Sequence, residues 1–187
     1  MLIRAMLMIA FLIYTACVTF SLLCGLLAAI GDVRGMRIAN KLSLAVVLSF
    51  CPLLLLNWYG TGAAIAVSDD AGLHVISFAG VFLTTLILFG IGVLGAGDSK
   101  LMSAYGLWLG PPGLVPFVLG MTLTGFVLAL MALVIRRLKF FPGASATSWL
   151  GRLHAGQGNV PYGVAIFVGA VYGYAVAGYF NTIAVLL

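Results

Sequence analysis

Acidic residues are scarce in this chain of 187 residues, which has no glutamate and only four aspartates: Asp32, Asp69, Asp70 and Asp98. Charged residues make up 7% of the sequence, whereas soluble domains carry about 25%. Hydrophobic residues reach 64%, against about 45–50% in soluble domains. Because a soluble fold cannot bury so large an apolar share, the composition excludes the soluble and disordered classes. It predicts an integral membrane protein.

Sequence motifs that hold cofactors or activated nucleophiles are also missing. The three cysteines, Cys17, Cys24 and Cys51, form no CxxC pair and have no metal-ligand spacing. The sequence contains no HExxH, no GxSxG and no P-loop. The net charge is +5, but no basic patch is interleaved with aromatic residues. We therefore expect no metal, no cofactor and no nucleic-acid partner, and a lipid bilayer as the surrounding solvent.

Long apolar runs dominate the sequence instead, and a membrane span needs roughly 20 such residues. Six candidate spans lie at residues 5–30, 42–56, 74–94, 101–109, 114–135 and 160–187. The first run is too long for the apolar part of a secretory signal peptide. The run 101–109 ends at Pro111 and Pro112, which must break a helix, so it is either a tilted span or a re-entrant segment. The sequence predicts an all-α polytopic membrane protein with about six transmembrane helices, in one domain over residues 1–187.

The basic residues predict how these helices are oriented. If the N-terminus is outside, the inner connections are 31–41, 95–100 and 136–159. These carry eight of the nine basic residues, as the positive-inside rule requires, and only Arg4 remains outside. The stretch from 141 to 159 is rich in Gly, Ser and Ala, and we interpret it as a mobile polar loop. Asp32 and Asp98 then share the cytoplasmic face, at the inner ends of two different helices.

Asp32 and Asp98 are the candidate catalytic residues. Ionisable groups at membrane depth are costly, so their presence indicates function. Two carboxyl groups that approach each other cannot both ionise easily and therefore share a proton. One can then act as a base on a water molecule while the other polarises a carbonyl, which is the chemistry of peptide hydrolysis without a covalent intermediate. Gly95 and Gly97 leave the backbone free to turn or to approach an extended substrate closely.

Three other interpretations of the aspartates stay open. Either residue could simply cap a helix, because aspartate is a common helix cap. The pair could relay protons in a small proton-coupled transporter, although such a protein is expected to have mid-bilayer acids and inverted repeats. The protein could also be a non-catalytic assembly scaffold. Asp69, Asp70, His74 and His154 are expected to be solvated or structural. Lys100 lies two residues after Asp98, a spacing at which helical side chains do not face each other, and we expect it to mark the inner boundary.

Three motifs resemble those of one known family. GAGDSKL at 95–101 is similar to the GxGDxKL signature of the bacterial type IV prepilin peptidases, which are GxGD membrane aspartyl proteases. GDVRGMRIANKLSL at 31–44 resembles the first aspartate motif of that family. NVPYGVAIFVGA at 159–170 resembles its third motif, which enters the last helix. The motifs occur in the same order as in the family, and the chain is most similar to the short CpaA/TadV-type enzymes of Flp pilus systems.

This resemblance implies a GxGD aspartyl protease fold and an aspartic endopeptidase of the bacterial inner membrane. Its partner would be a membrane-inserted prepilin, cut after the glycine that closes a short basic leader. Asp32 and Asp98 would be the two catalytic residues. Residues that bind substrate or shape the motifs would be Gly95, Gly97, Lys100, Arg34, Arg37, Asn40, Pro161, Tyr162 and Gly163.

The resemblance also has limits. We expect no methyltransferase domain, because the chain has neither the length nor the paired cysteines of the long enzymes. Ala39 stands where the family usually has proline, and Ser99 stands where a β-branched apolar residue is common. A GxGD motif alone does not fix the substrate, so a protease of broader substrate range stays an alternative. The sequence does not specify an oligomeric state.

Overall fold

Helices account for nearly all of the chain that can be described. A computed structural model describes residues 2–58, 71–138, 149–154 and 160–181. Its helices are α1 (Leu2–Gly35), α2 (Asn40–Trp58), α3 (Ala71–Gly90), α4 (Ala96–Leu138), α5 (Trp149–His154) and α6 (Tyr162–Val176). No strand occurs within these ranges, which confirms the predicted all-α fold. Asp69 and Asp70 lie outside the described residues.

The helices are built for an apolar solvent. Three of them, Arg4–Gly35, Ala71–Gly90 and Ala96–Leu138, are long and apolar enough to cross a membrane, while α2 and α6 are shorter apolar helices. Large aliphatic side chains point outward, and Ile76 and Ile87 of α3 are about two-thirds exposed. In water such a surface would be costly, whereas lipid solvates it. The chain is therefore a membrane protein, as the composition predicts.

α4 is a broken helix. Its 43 residues would extend for about 64 Å if they were straight, twice the thickness of a bilayer core of about 30 Å. The break falls at Gly110, whose φ of 56° and ψ of −172° lie in a region that favours glycine. Pro111 and Pro112 follow at once, so the double proline ends the first half of α4 as predicted. The two halves, residues 96–109 and 111–138, are separate helical segments.

Two side chains from outside α4 satisfy the carbonyl groups that this break leaves free. The two prolines have no N–H, so the carbonyls of Leu107 and Trp108, four residues earlier, lose their helical donors. His74 Nδ1 lies 2.7 Å from the Leu107 oxygen, and the Tyr179 hydroxyl donates to the Trp108 oxygen. Unsatisfied backbone groups are especially costly in lipid. These bonds therefore stabilise the break, and His74 has the structural role expected of it.

Tyr179→Phe tests this account of the break. The variant keeps the ring but removes the donor to Trp108, so we expect its free energy of unfolding to fall by about 1–3 kcal/mol. Tyr172→Phe is the matched control, because the Tyr172 side chain is exposed. It should change stability by less than about 0.5 kcal/mol. Denaturation of the purified proteins in the same detergent measures both, and equal stability of the two variants would contradict this account.

α4 is the central helix of the bundle. It packs against α2, α3 and α6, and α1 packs against α2 and α6. α6 and α4 approach each other closely at Gly169 of α6, where an added Cβ would lie 2.6 Å from the Phe117 carbonyl oxygen of α4. The middle of the bundle also contains a hydrogen-bonded group of side chains, named here the tyrosine cluster: Tyr14, Ser21, Tyr105, Tyr174 and Tyr179. This packing fixes α1, α4 and α6 relative to one another.

The stretch predicted as a polar loop contains a short helix. Residues 149–154 form α5, and its Trp149 and Leu153 side chains are buried against Ala132 and Ile135 of α4. The rest of the predicted loop, residues 141–148 and 155–159, and the His154 side chain lie outside the described residues. The spacing of Trp149 and Leu153 places both side chains on one face of a helix. The polar composition around this pair hid that signal.

Candidate active site

Asp32 and Asp98 lie at the same end of the helix bundle. α1 runs toward this end and finishes at Gly35, whereas α4 begins from it at Ala96. Exposed basic side chains surround the two aspartates at this end: Arg34, Arg37, Lys41, Lys100, Arg136 and Arg137. The end of the bundle that carries both carboxyl groups is therefore strongly basic.

Asp98 is held by the first turn of α4. It is the third residue of this helix, and its carboxyl group accepts a hydrogen bond from the backbone N–H of Gly95, just before the helix. This is the contact of a capping box, in which an acceptor at the third position bonds back to the N-cap N–H. An added Cβ at Gly95 would lie 2.7 Å from Asp98 Oδ2, so a larger residue there would displace the Asp98 carboxyl group. Asp98 therefore bonds to the start of its own helix and also lines a cavity.

Asp32 is held by the start of α6. It lies in the last turn of α1, is 6% exposed, and its Oδ2 accepts the backbone N–H of Gly163 at 2.7 Å. Gly163 is the second residue of α6, where a helix has N–H groups without partners in the helix. An added Cβ at Gly163 would lie 3.0 Å from Asp32 Cβ and 3.1 Å from Oδ2. Pro161 is the N-cap of α6 and is buried. The Pro-Tyr-Gly motif therefore has a direct structural task, which is to hold Asp32.

The two carboxyl groups share a water-accessible space. Two adjoining cavities, of about 300 and 510 Å³, are both lined by Asp32, Met36, Gly95 and Asp98. The first is also lined by Arg37, Ile38, Ala96 and Gly97, and the second by Gly92, Val93, Leu94, Val160 and Tyr162. Asp32 and Asp98 are close enough to interact electrostatically. We name these two spaces together the aspartate cavity.

The other predicted site residues fall into distinct places around this cavity. Gly97 lets α4 approach the turn between α1 and α2, since an added Cβ would lie 3.1 Å from Ile38 Cβ. Lys100 Nζ donates to Asn40 Oδ1 at 3.1 Å, which ties the start of α4 to the start of α2. This contact is additional to the boundary role expected of Lys100. Of the remaining candidates, Arg37 and Tyr162 line the cavity, whereas Arg34 and Pro161 do not.

The structure adds residues that the sequence did not single out. Met36 directly follows α1 and has a φ of 53°, which is uncommon for a residue other than glycine, and it lines both parts of the aspartate cavity. The Ser99 hydroxyl lies 2.8 Å from that of Thr85, so it joins α4 to α3 beside Asp98. Ser99 already stood out as a departure from the family pattern. No sequence signal marked Met36, because the neighbouring Gly35 is the residue expected to adopt a left-handed conformation.

The ionisable groups of the aspartate cavity define what chemistry it can perform. They are the two carboxyl groups, the Arg37 guanidinium and the Tyr162 phenol. Within the described ranges, no three His, Cys, Asp or Glu side chains are grouped so that they could hold a metal ion. Two neighbouring carboxyl groups in contact with water can transfer protons to and from a reacting amide.

Fold and site together define an α-helical membrane protein with paired aspartates at one end of its bundle. The model of the type IV leader peptidase family matches residues 18–130, which is more than half of the chain and includes both aspartates. The chain therefore belongs to the type IV leader peptidase family, as its motifs predict. The Pro161 to Gly163 motif lies beyond the matched residues. No curated protein and no solved structure matches the chain.

Proposed function

We propose that the protein is an aspartic endopeptidase that removes the leader peptide of Flp-type (Tad) type IV prepilins at the cytoplasmic face of the bacterial inner membrane. The observation that carries this proposal is the position of Asp32 and Asp98, which are remote in sequence but line one cavity. Membership of the type IV leader peptidase family supports a peptidase with a pilin precursor as substrate.

The proposed reaction uses the two carboxyl groups as one acid–base unit. The ionised carboxylate takes a proton from a water molecule, and the water oxygen forms a bond to the carbonyl carbon of the scissile amide. The protonated carboxyl group donates a hydrogen bond to the carbonyl oxygen, where negative charge develops. As the carbon–nitrogen bond breaks, the leaving nitrogen takes up a proton from the pair. The products are a free carboxyl group on the leader and a free amine on the mature chain.

The surroundings of the aspartates support this division of roles. Asp32 accepts a backbone N–H at the start of α6, and Asp98 accepts one at the start of α4. The N-terminus of a helix carries partial positive charge and favours a carboxylate. Repulsion between the two carboxyl groups acts in the opposite direction and favours one shared proton. Together these effects support a singly ionised pair.

The distribution of charge supports the cytoplasmic assignment. The basic side chains Arg34, Arg37, Lys41, Lys100, Arg136 and Arg137 lie at the same end as the aspartate cavity. Under the positive-inside rule this end faces the cytoplasm and the N-terminus lies outside. A membrane-anchored precursor keeps its polar leader on that side, so the scissile bond and the carboxyl groups meet at the boundary between water and lipid.

The direct test is cleavage of a candidate precursor. The purified protein is incubated with a membrane-anchored pilin precursor encoded in the same genome, and the new N-terminus of the product is read by mass spectrometry. We expect one cut at the junction of the leader and the apolar helix. A precursor that stays intact would contradict the peptidase assignment. If the protein also carried protons into proteoliposomes and an Asp98→Asn variant did not, the result would favour a proton-coupled transporter.

A further inference from the structure

A second concave surface lies on the outside of the bundle, between α3 and α4. This groove has a volume of about 560 Å³, and most of its lining is aliphatic or aromatic. The hydroxyl of Thr84, one of its few polar groups, donates to the Gly80 carbonyl of the same helix at 2.8 Å. Ile76 from α3 and Val118 from α4 are 66% and 45% exposed. The groove is therefore open to lipid and suits an apolar ligand.

The groove is long enough to hold a substantial part of a transmembrane helix. Its lining on α3 extends from Ile76 to Leu88, which corresponds to about 18 Å of helix. That is more than half of a bilayer core of about 30 Å. Among the described helices, α3 packs chiefly against α4. A further helix can therefore lie along the exposed side of this pair.

One end of the groove reaches the aspartate cavity. Met102 lines the groove and follows Asp98 by one helical turn, so the two side chains share a face of α4. On the other wall, Leu88 leads into residues 92–95, which line the aspartate cavity. The hydrogen bond between Thr85 and Ser99 joins the two walls at this point. Along α4, the lining of the groove and the lining of the aspartate cavity are therefore about one helical turn apart.

We propose that this groove binds the apolar helix of the membrane-anchored substrate and so positions the adjoining peptide bond between Asp32 and Asp98. The inference rests on the proposed peptidase function. An enzyme that cuts between a polar leader and an apolar helix must admit both, and the helix has to leave the site toward lipid. The groove begins where that helix would leave, and its lining offers no group that would attract the charged leader.

Gly80→Leu tests whether the groove binds the substrate helix, and a second variant on the same helix serves as its control. Gly80 lines the groove and an added Cβ there meets no atom within 4 Å, so a larger side chain can begin in open space and occupy part of the groove. Ala79→Leu is the control, because Ala79 is exposed but does not line the groove. Both are assayed on the full-length anchored precursor and on a soluble peptide that spans the cleavage site but ends before the apolar helix.

We expect Gly80→Leu to lower kcat/KM for the anchored precursor at least about tenfold more than for the soluble peptide, a difference of about 1.4 kcal/mol. Ala79→Leu should affect both substrates alike. If Gly80→Leu also affects both alike, the groove does not bind the substrate helix. If the wild-type protein cleaves neither substrate, the peptidase assignment itself fails, which is a separate outcome.

Cross-linking provides a test that does not depend on rates. A photoreactive phenylalanine at Val118, which lines the groove, should cross-link to the apolar helix of the anchored precursor. The same group at Leu123, which is 66% exposed and outside the groove, should not. Cross-links from Val118 only to lipid, or only to a second copy of the protein, would overturn the proposal.

Discussion

Asp98→Asn is expected to lower the rate of precursor cleavage by about 10²–10⁴-fold, the range attributed to general acid–base groups. The amide matches the carboxyl group in size, and its oxygen can still accept the Gly95 N–H that anchors the start of α4. It cannot, however, take a proton from water or share one with Asp32. The variant should therefore fold and insert normally while losing the chemical step.

The measurement compares single and double variants. Asp32→Asn should have an effect of the same order, and its oxygen can likewise accept the Gly163 N–H at the start of α6. Because the two carboxyl groups act as a unit, the double variant should cleave about as fast as the slower of the two single variants. Asp70→Asn serves as the control, since the sequence predicts Asp70 on the opposite side of the membrane. A single variant that cleaves at the normal rate would remove its residue from the catalytic pair.

Gly163→Val is expected to reduce cleavage by about 10–100-fold because it displaces Asp32. Even a Cβ at this residue would lie 3.0 Å from Asp32 Cβ and 3.3 Å from the Ala28 carbonyl oxygen, so the branched side chain must shift the end of α1 that carries the carboxyl group. A misplacement of about 1 Å in a catalytic group can cost about 100-fold in rate. Gly163 does not line the aspartate cavity, so the loss should fall on kcat more than on KM.

A graded series separates this effect from general damage to the fold. Gly163→Ala should have a smaller effect than Gly163→Val, because its single methyl group requires Asp32 to shift by only a few tenths of an ångström. Gly35→Ala is the control near the site, where an added Cβ meets nothing within 4 Å. Its kcat should equal that of the wild type. Equal kcat values for Gly163→Val and Gly35→Ala would show that Gly163 does not position Asp32.

Much of this architecture could be predicted from local sequence features. Apolar runs predicted the helices, and the double proline predicted the break in α4, because both depend on neighbouring residues. The basic residues predicted that Asp32 and Asp98 share one side, and the structure places both at one end of the bundle. These features need no knowledge of which helices touch.

Most of the features that escaped prediction depend on contacts between distant helices. Gly163 donates to Asp32 across 131 positions in the chain, and Lys100 pairs with Asn40 across 60. His74 satisfies the Leu107 carbonyl only because α3 crosses α4 at the break. Local patterns identified several of these residues as candidates but could not pair them. The helical conformation of α5 was missed because a single apolar pair lies within a polar stretch.

The tyrosine cluster has a mechanical consequence for catalysis. Its hydrogen bonds join α1 to α4 and α6, and Ser21, the member on α1 that is nearest to Asp32, lies 11 positions from it, or about 16 Å along the helix. At the aspartate end, by contrast, each carboxyl group is held through a single backbone amide. Three hydrogen bonds join helices near the aspartates: Gly163 to Asp32, Lys100 to Asn40, and the pair Thr85 and Ser99. Because the tyrosine cluster holds α1, α4 and α6 further along the bundle, we expect a movement that widens the aspartate cavity to tilt the ends of these helices about the cluster.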